Sequence, residues 1–294
     1  MVIFNNIRNC YYKYIRIPIV RKSILRKLKI RNSIDTINYI INNRCSVSRY
    51  GDGELDVIWG GCRGFQKYDA RLAKRLKEIL ASNIPNHIVC LPYPFLYSGN
   101  LRKSSDEFWA YYVSMNIKNI LDVIDLNKQY YDTEISRFYI DYKDRSGSAA
   151  HLKLLKEIWN GRNIIIVEGL YTASGVGNDL FDNAKSIRRI ICPAENAFDK
   201  YDDILNHIKE TANPNDLILI SLGMAATVLA YDLALIGFQA IDLGHLDVEY
   251  EWFLQQVDWK TYLPNKYVNE VKGGNKVERC LESKYLEQII IQIL

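Results

Sequence analysis

From Ser33 onward, apolar positions alternate between two rhythms. Helix-like spacing marks Ile34–Asn43 and Tyr68–Ser82, where Leu72, Leu76, Ile79 and Leu80 form one stripe. The same rhythm marks Asp106–Ile120, His151–Trp159, Ala197–Thr211 and Ala225–Ile236, with a helical turn at Leu55–Trp59. Short runs at Cys45–Arg49, His87–Leu91, Asn163–Val167, Ile187–Cys192, Leu217–Ser221 and Phe238–Leu243 read as strands; Asn163–Val167 is fully apolar, of the kind buried on both faces, and Leu217–Ser221 is apolar too. Arg137–Asp141 reads as a short strand or extended loop, and a further helix is expected to open at Gly175 and run to Lys185. Strands alternating with helices of about a dozen residues predict right-handed βαβ units and a Rossmann-like, doubly wound, mostly parallel sheet.

The first 32 residues differ. Apolar and aromatic positions from Ile3 to Ile30 recur at helical spacing with basic residues between them, and Pro18 is expected to break the run into two helices. Residues 1–34 carry nine Lys and Arg and no acid, while the whole chain has a net charge of +4. The chain divides on this reading into a basic amphipathic appendage, 1–32, and one domain, 33–294. Such a segment suits an anionic membrane surface, or equally a face packed on the body. The body is mildly acidic, so nucleic acid is not an expected partner.

The chain is 294 residues long, 48% hydrophobic and 24% charged, which excludes disordered and fibrous classes. No apolar window is long enough to span a membrane, and no signal-peptide pattern opens the chain. Six cysteines without a C-x-x-C pair point to reduced thiols and a cytoplasmic setting.

In doubly wound sheets, ligands bind beyond the C-terminal ends of the strands. There the chain places Arg49-Tyr50-Gly51-Asp52-Gly53-Glu54. Two acids two residues apart suit a divalent ion, with Arg49 beside a phosphate, or else a capped turn. Spacing alone favours the cap. Gly175-Val176-Gly177-Asn178-Asp179 lacks the third small residue of a dinucleotide fingerprint, yet a glycine-rich helix start suits phosphate. Gly223 and Thr227 mark a strand–glycine–helix junction, suited to close ligand approach or to tight packing. Gly244–Glu251 is the densest polar cluster. A helix from Leu246 puts Asp247, Tyr250 and Glu251 on one face, where they could supply a base, a metal ligand or favourable charges for a helix start.

Five blocks together resemble the bacterial GT-D glycosyltransferases. They are Ser48–Glu54, Gly175–Phe181, Ala226–Leu233, Gly244–Trp252 and Asn265–Glu270, in order over roughly residues 33–270. The resemblance implies transfer of a hexose from a nucleotide sugar, UDP-glucose or UDP-galactose, to a glycan acceptor in bacterial surface polysaccharide or glycoprotein synthesis. It assigns Mn²⁺ or Mg²⁺ to Asp52 and Glu54. Donor contacts fall on Arg49, Tyr50, Gly51, Gly175, Gly177, Asn178, Asp179, Gly223 and Thr227. Asp247 or Glu251 is the expected base, with His245 second and Glu249 a weaker member. The expected partners are the donor, a glycan or lipid-linked saccharide, a second copy of the chain, and the inner face of the cell membrane through residues 1–31. The rival readings are an NAD(P)-dependent Rossmann enzyme and a non-catalytic sugar-binding subunit.

Overall fold

The computed structural model describes residue 8 and residues 10–294. Nine parallel strands form one sheet in the order β1-β4-β3-β2-β8-β7-β5-β6-β9. They are β1 (Lys29–Ile30), β2 (Ser46–Arg49), β3 (His87–Leu91), β4 (Gln129–Asp132), β5 (Asn163–Gly169), β6 (Ser186–Cys192), β7 (Leu217–Ser221), β8 (Gln239–Asp242) and β9 (Ile289–Gln292). Side chains alternate between the faces. Ile164 and Ile166 join Val47, Leu217, Leu219 and Ile241 in one core, and Ile165 and Val167 join Val89, Ile218 and Ile220 in the other. Burial on both faces explains the unbroken apolar runs.

A helical run over residues 10–27 comes first among the described residues, and we number it α1. It is followed by α2 (Ser33–Asn43), α3 (Asp52–Ile58), α4 (Ala70–Ala81), α5 (Lys103–Leu121), α6 (Ser148–Lys156), α7 (Tyr201–Thr211), α8 (Met224–Leu235), α9 (Leu246–Leu254) and α10 (Ser283–Gln288). Pro18 does not break α1. Wider i→i+5 turns at Tyr12–Arg16 and Val20–Ile24 flank it, which lets the chain pass a residue that cannot donate a backbone hydrogen bond. Ile3 and Ile7 lie outside the described residues.

The basic segment is also built into the body. Ile17, Val20, Leu25 and Leu28 are buried in the core, and Lys29–Ile30 pairs with β4. The Lys13 ammonium lies 2.6 Å from Asp106 on α5, and Arg21 donates to Ser98 Oγ at 3.1 Å.

Two further expectations change. The helix expected at Gly175–Lys185 is a series of turns, because Gly175 and Gly177 adopt φ of +73° and +79°. The helical turn expected at Leu55–Trp59 begins earlier, since α3 starts at Asp52 with Gly51 as its N-cap and so carries both acids.

Candidate active site

β2 lies beside β8, while the strand that follows it in sequence, β3, lies on its other side. At this switch the C-terminal ends open into a cleft of about 970 Å³. Its lining draws Arg49, Gly51, Asp52 and Glu54 from the end of β2, and Asp242, Gly244 and His245 from the end of β8. Glu134 and Arg137 come from beyond β4. Phe108 and Trp109 of α5 form an aromatic wall, and Arg63, Gly223, Lys260 and Glu270 complete the rim.

Asp52 and Glu54 stand two residues apart on a helix, so they do not share a face. The Gly51 N–H donates to Glu54 Oε2 at 2.7 Å, folding that side chain back over its own helix start. Burial pushes the Glu54 carboxyl up to about 7, the Gly51 hydrogen bond opposes this, and the charges of Asp242 and Asp52 add to it. Asp52 accepts from Arg63 at 2.7 Å, and the same nitrogen donates to Asp56 at 2.5 Å. Three carboxylates thus crowd one lip with one guanidinium among them. Among the described residues no three His, Cys, Asp or Glu side chains form a ready-made metal cage. The excess negative charge nonetheless fits a hard divalent ion that takes one or two carboxylates and fills its shell with water or phosphate.

Arg49 lines the cleft, but its guanidinium is already engaged. It donates to Thr133 O at 2.9 Å and Ser136 Oγ at 2.5 Å, and lies 3.4 Å from Asp242. It clamps the ends of β2, β4 and β8 together rather than presenting a free hand to phosphate. Gly244 makes room for it: a Cβ there would fall 1.8 Å from the Arg49 terminal nitrogen, and its φ is +53°. Burial holds His245 at about 4; Glu270 opposes this and Arg137, Arg49 and Lys260 add to it, so the ring is neutral near pH 7. Burial raises the Glu270 carboxyl, but Arg137 and Lys260 outweigh it and keep Glu270 well below the usual carboxylate range.

The other expected base residues lie outside the lining. Asp247 and Glu251 do share a face, but it meets the glycine loop. Asp247 accepts from Gly175 N at 2.8 Å and Asn178 Nδ2 at 3.0 Å, and lies 2.8 Å from the Lys266 ammonium. Glu251 accepts from the same Asn178 amide at 2.6 Å. Glu249 is buried, accepting from Tyr139 N and Ile140 N, both at 2.7 Å. Asp179 is held by Lys156 at 3.0 Å and by the Tyr250 hydroxyl. Gly175, Gly177, Asn178 and Asp179 therefore form a cross-tied block, and the helix start expected to seat phosphate is absent. Tyr50 is buried, donating to Leu76 O at 2.7 Å. Thr227 lies behind the cleft, donating to Arg49 O at 3.0 Å. Gly51, Gly223 and His245 line the cleft. Arg63, Glu134, Arg137 and Lys260 line it too, and no sequence pattern singled them out; Glu270 fell within a noted block.

Residues 47–271 match the family of the glycosyltransferase GT-D fold. The chain belongs to that family of glycosyltransferases. It is 37% identical over 269 residues to a probable glycosyl transferase of Streptococcus gordonii, covering 91% of this chain and 39% of that protein. It is 34% identical to the glycosyltransferase GlyD of Streptococcus pneumoniae, covering 94% of this chain and 34% of that protein. The chain thus spans little more than a third of the length of these relatives. Among solved structures, one described as the highly conserved domain of unknown function 1792 with a distinct glycosyltransferase fold superposes with a TM-score of 0.88 at 40% identity, covering 92% of this chain and 97% of that one. A glycosyltransferase from Streptococcus sanguinis gives 0.87 at 35%, covering 91% of this chain and all of that one.

Proposed function

We propose that the chain transfers a hexose from a nucleotide sugar, UDP-glucose or UDP-galactose, to a glycan or lipid-linked saccharide of a bacterial surface polysaccharide or glycoprotein. The observation that carries this reading is the acid-lipped cleft at the β2–β8 switch, of a size that suits such a ligand. Asp52 and Glu54 would hold Mn²⁺ or Mg²⁺, which when bound neutralises charge on the leaving nucleoside diphosphate. Phe108 and Trp109 offer apolar faces on which a sugar or base can pack. The Arg137–Glu270–Lys260 lattice gives the opposite rim a fixed set of donors and acceptors. The dinucleotide alternative has little support, because the glycine loop it needs opens no helix.

The test is a thermal-shift series with UDP, UDP-glucose, UDP-galactose and NAD⁺, each with and without Mn²⁺. UDP with Mn²⁺ should raise Tm well above either alone, and NAD⁺ should not. A chain that responds to no nucleoside diphosphate or nucleotide sugar has another function.

The same chain would work at an anionic membrane surface, through α1. No described helix is long and apolar enough to cross a membrane. While Ile17 and Val20 pack inward, Tyr11, Tyr14, Ile15 and Ile19 are exposed, and exposed Lys22, Arg26 and Lys27 follow them. Apolar side chains beside cations match an anionic bilayer interface. Deleting the segment would also remove core residues and β1, so the test is a paired substitution, Tyr14→Asp with Ile15→Asp. The native chain should float with vesicles containing phosphatidylglycerol and the variant should not; equal flotation refutes the docking.

A further inference from the structure

Among the carboxyls of the cleft, Glu134 stands apart. It lines the cavity and is 6% exposed, yet among the described residues its side chain makes no hydrogen bond and no ion pair. Its neighbours are all engaged. Asp132 accepts from Ser33 and from Tyr93 N, Asp242 lies against Arg49, and Glu270 lies between Arg137 and Lys260. A carboxyl that is buried apart from the face it turns to a ligand cleft, and that has no partner from the protein, marks a place where a ligand supplies the partner.

The backbone holds Glu134 in register with the acid pair. It sits on the turn Thr133–Ser136, directly after β4. Three hydrogen bonds tie that turn to the end of β2: Arg49 Nη1 to Thr133 O and to Ser136 Oγ, and Thr133 Oγ1 to Tyr50 O at 3.0 Å. Glu134 and the acid pair therefore open onto one cleft, from the ends of β4 and β2.

We propose that Glu134 is the catalytic base of the transfer, taking the proton of the acceptor hydroxyl as it attacks. The assignment rests on the glycosyltransferase reading above. In the step, the acceptor O–H bond breaks and its proton goes to a Glu134 carboxylate oxygen. The hydroxyl oxygen's electron pair forms the bond to the anomeric carbon. The bond from that carbon to the diphosphate oxygen breaks, and its pair leaves with the nucleoside diphosphate. Glu134 then returns its proton to solvent.

The surroundings suit a proton acceptor. Burial and then Asp132 raise the Glu134 carboxyl to about 8, Asp141 adds to this, and Arg137 and Arg49 oppose it; the buried Tyr142 hydroxyl also lies within its field. His245, held near 4, takes a proton far less readily. The working form of Glu134 is ionised, so the rate should climb as pH rises toward 8.

The experiment measures UDP release from UDP-glucose and UDP-galactose with Mn²⁺, water serving as acceptor, together with UDP binding by calorimetry, for the native chain, Glu134→Gln and Glu134→Ala. Glu134→Gln should fold, bind UDP as the native chain does, and lose kcat on the order of 10²–10⁴-fold. The rise toward pH 8 should disappear, and added formate should restore part of the rate to Glu134→Ala. A Glu134→Gln enzyme with native kcat overturns the assignment. So does a kcat loss matched by lost UDP affinity and unrelieved by formate. A native chain that neither binds UDP nor releases it overturns the reading of the function, and the base with it.

Discussion

Two ends of the same sheet treat their charged side chains in opposite ways. Beyond β5 and β6, each buried acid has its partner. Glu168 and Arg189, both almost wholly buried, pair at 2.7 Å, Asp247 meets Lys266, and Asn178 bridges Asp247 and Glu251. Beyond β2 and β4, acids outnumber their partners. Among the described residues Glu134 has none, Glu54 has the amide of its own helix cap, and Asp52 and Asp56 share Arg63. The residue types are the same at both ends. What separates the cross-tied block from the candidate cleft is whether its buried acids find partners without a ligand.

That contrast breaks first at Arg189. Arg189→Met leaves Glu168 buried and without a counter-ion, and should cost about 3–5 kcal/mol in urea unfolding. A loss under about 1 kcal/mol would mean the block is not held by its ion pairs. At the cleft the expected cost is in rate. Asp52→Asn keeps a partner for Arg63 and removes a charge. It should lower Mn²⁺-dependent UDP release by about a thousandfold, a few kcal/mol of charge stabilisation, while leaving the melting curve in place. Native activity in Asp52→Asn would erase the distinction between the two ends.

Much of the frame is legible in the sequence. β3, β5 and β7 are apolar enough to stand out, because both faces of each are covered, while β2, β6 and β8, which carry Ser, Arg, Gln and Asp, show as short runs set between helical stretches. β1, β4 and β9 escape notice, since two to four residues such as Gln-Tyr-Tyr-Asp are too few to show a period. The position of the cleft follows from the strand ends, but the aim of each side chain does not. Helical spacing correctly puts Asp247 and Glu251 on one face, and cannot show that the face meets Asn178 instead of the cleft. Glu134 sits on a four-residue 3₁₀ turn after an unrecognised strand, too short for period or motif to mark it. What singles it out is a missing partner, which becomes visible once the neighbours are placed in space.

Glu249 sharpens the comparison from within the satisfied region. Its carboxylate accepts two backbone N–H bonds, yet burial raises it to about 7, with Arg137 opposing. A carboxyl raised in the folded state contributes stability that is complete below its ordinary range and is lost as pH rises through about 7. Glu249→Gln can keep the acceptor oxygen and has no charge to desolvate. Relative to the native chain it should gain stability between pH 5 and pH 8, by at least about 1.4 kcal/mol, the equivalent of one pKa unit. Melting both proteins at the two pH values removes every other titrating group from the difference. A gap that does not change with pH would show that hydrogen bonding alone governs this carboxyl.

The smallest expected effect is at Glu251, and it bears most directly on where the two regions divide. Asp247 and Glu251 have the types, the spacing and the place after a strand that a general base would have. In the fold, Glu251 Oε1 receives the Asn178 amide at 2.6 Å and lies outside the cleft lining. Glu251→Gln retains an acceptor oxygen at that point and gives up the charge assistance of the bond. The cost should be about 0.5–1 kcal/mol in urea unfolding, the usual net worth of one hydrogen bond, with kcat for UDP release unchanged. A base removed from the chemistry would instead lower kcat on the order of 10²–10⁴-fold with stability intact. The two outcomes move different observables, so one variant decides the matter. If kcat falls and the melting curve stays in place, the glycine-loop block belongs to the active site and the boundary drawn between the two ends of the sheet is in the wrong place.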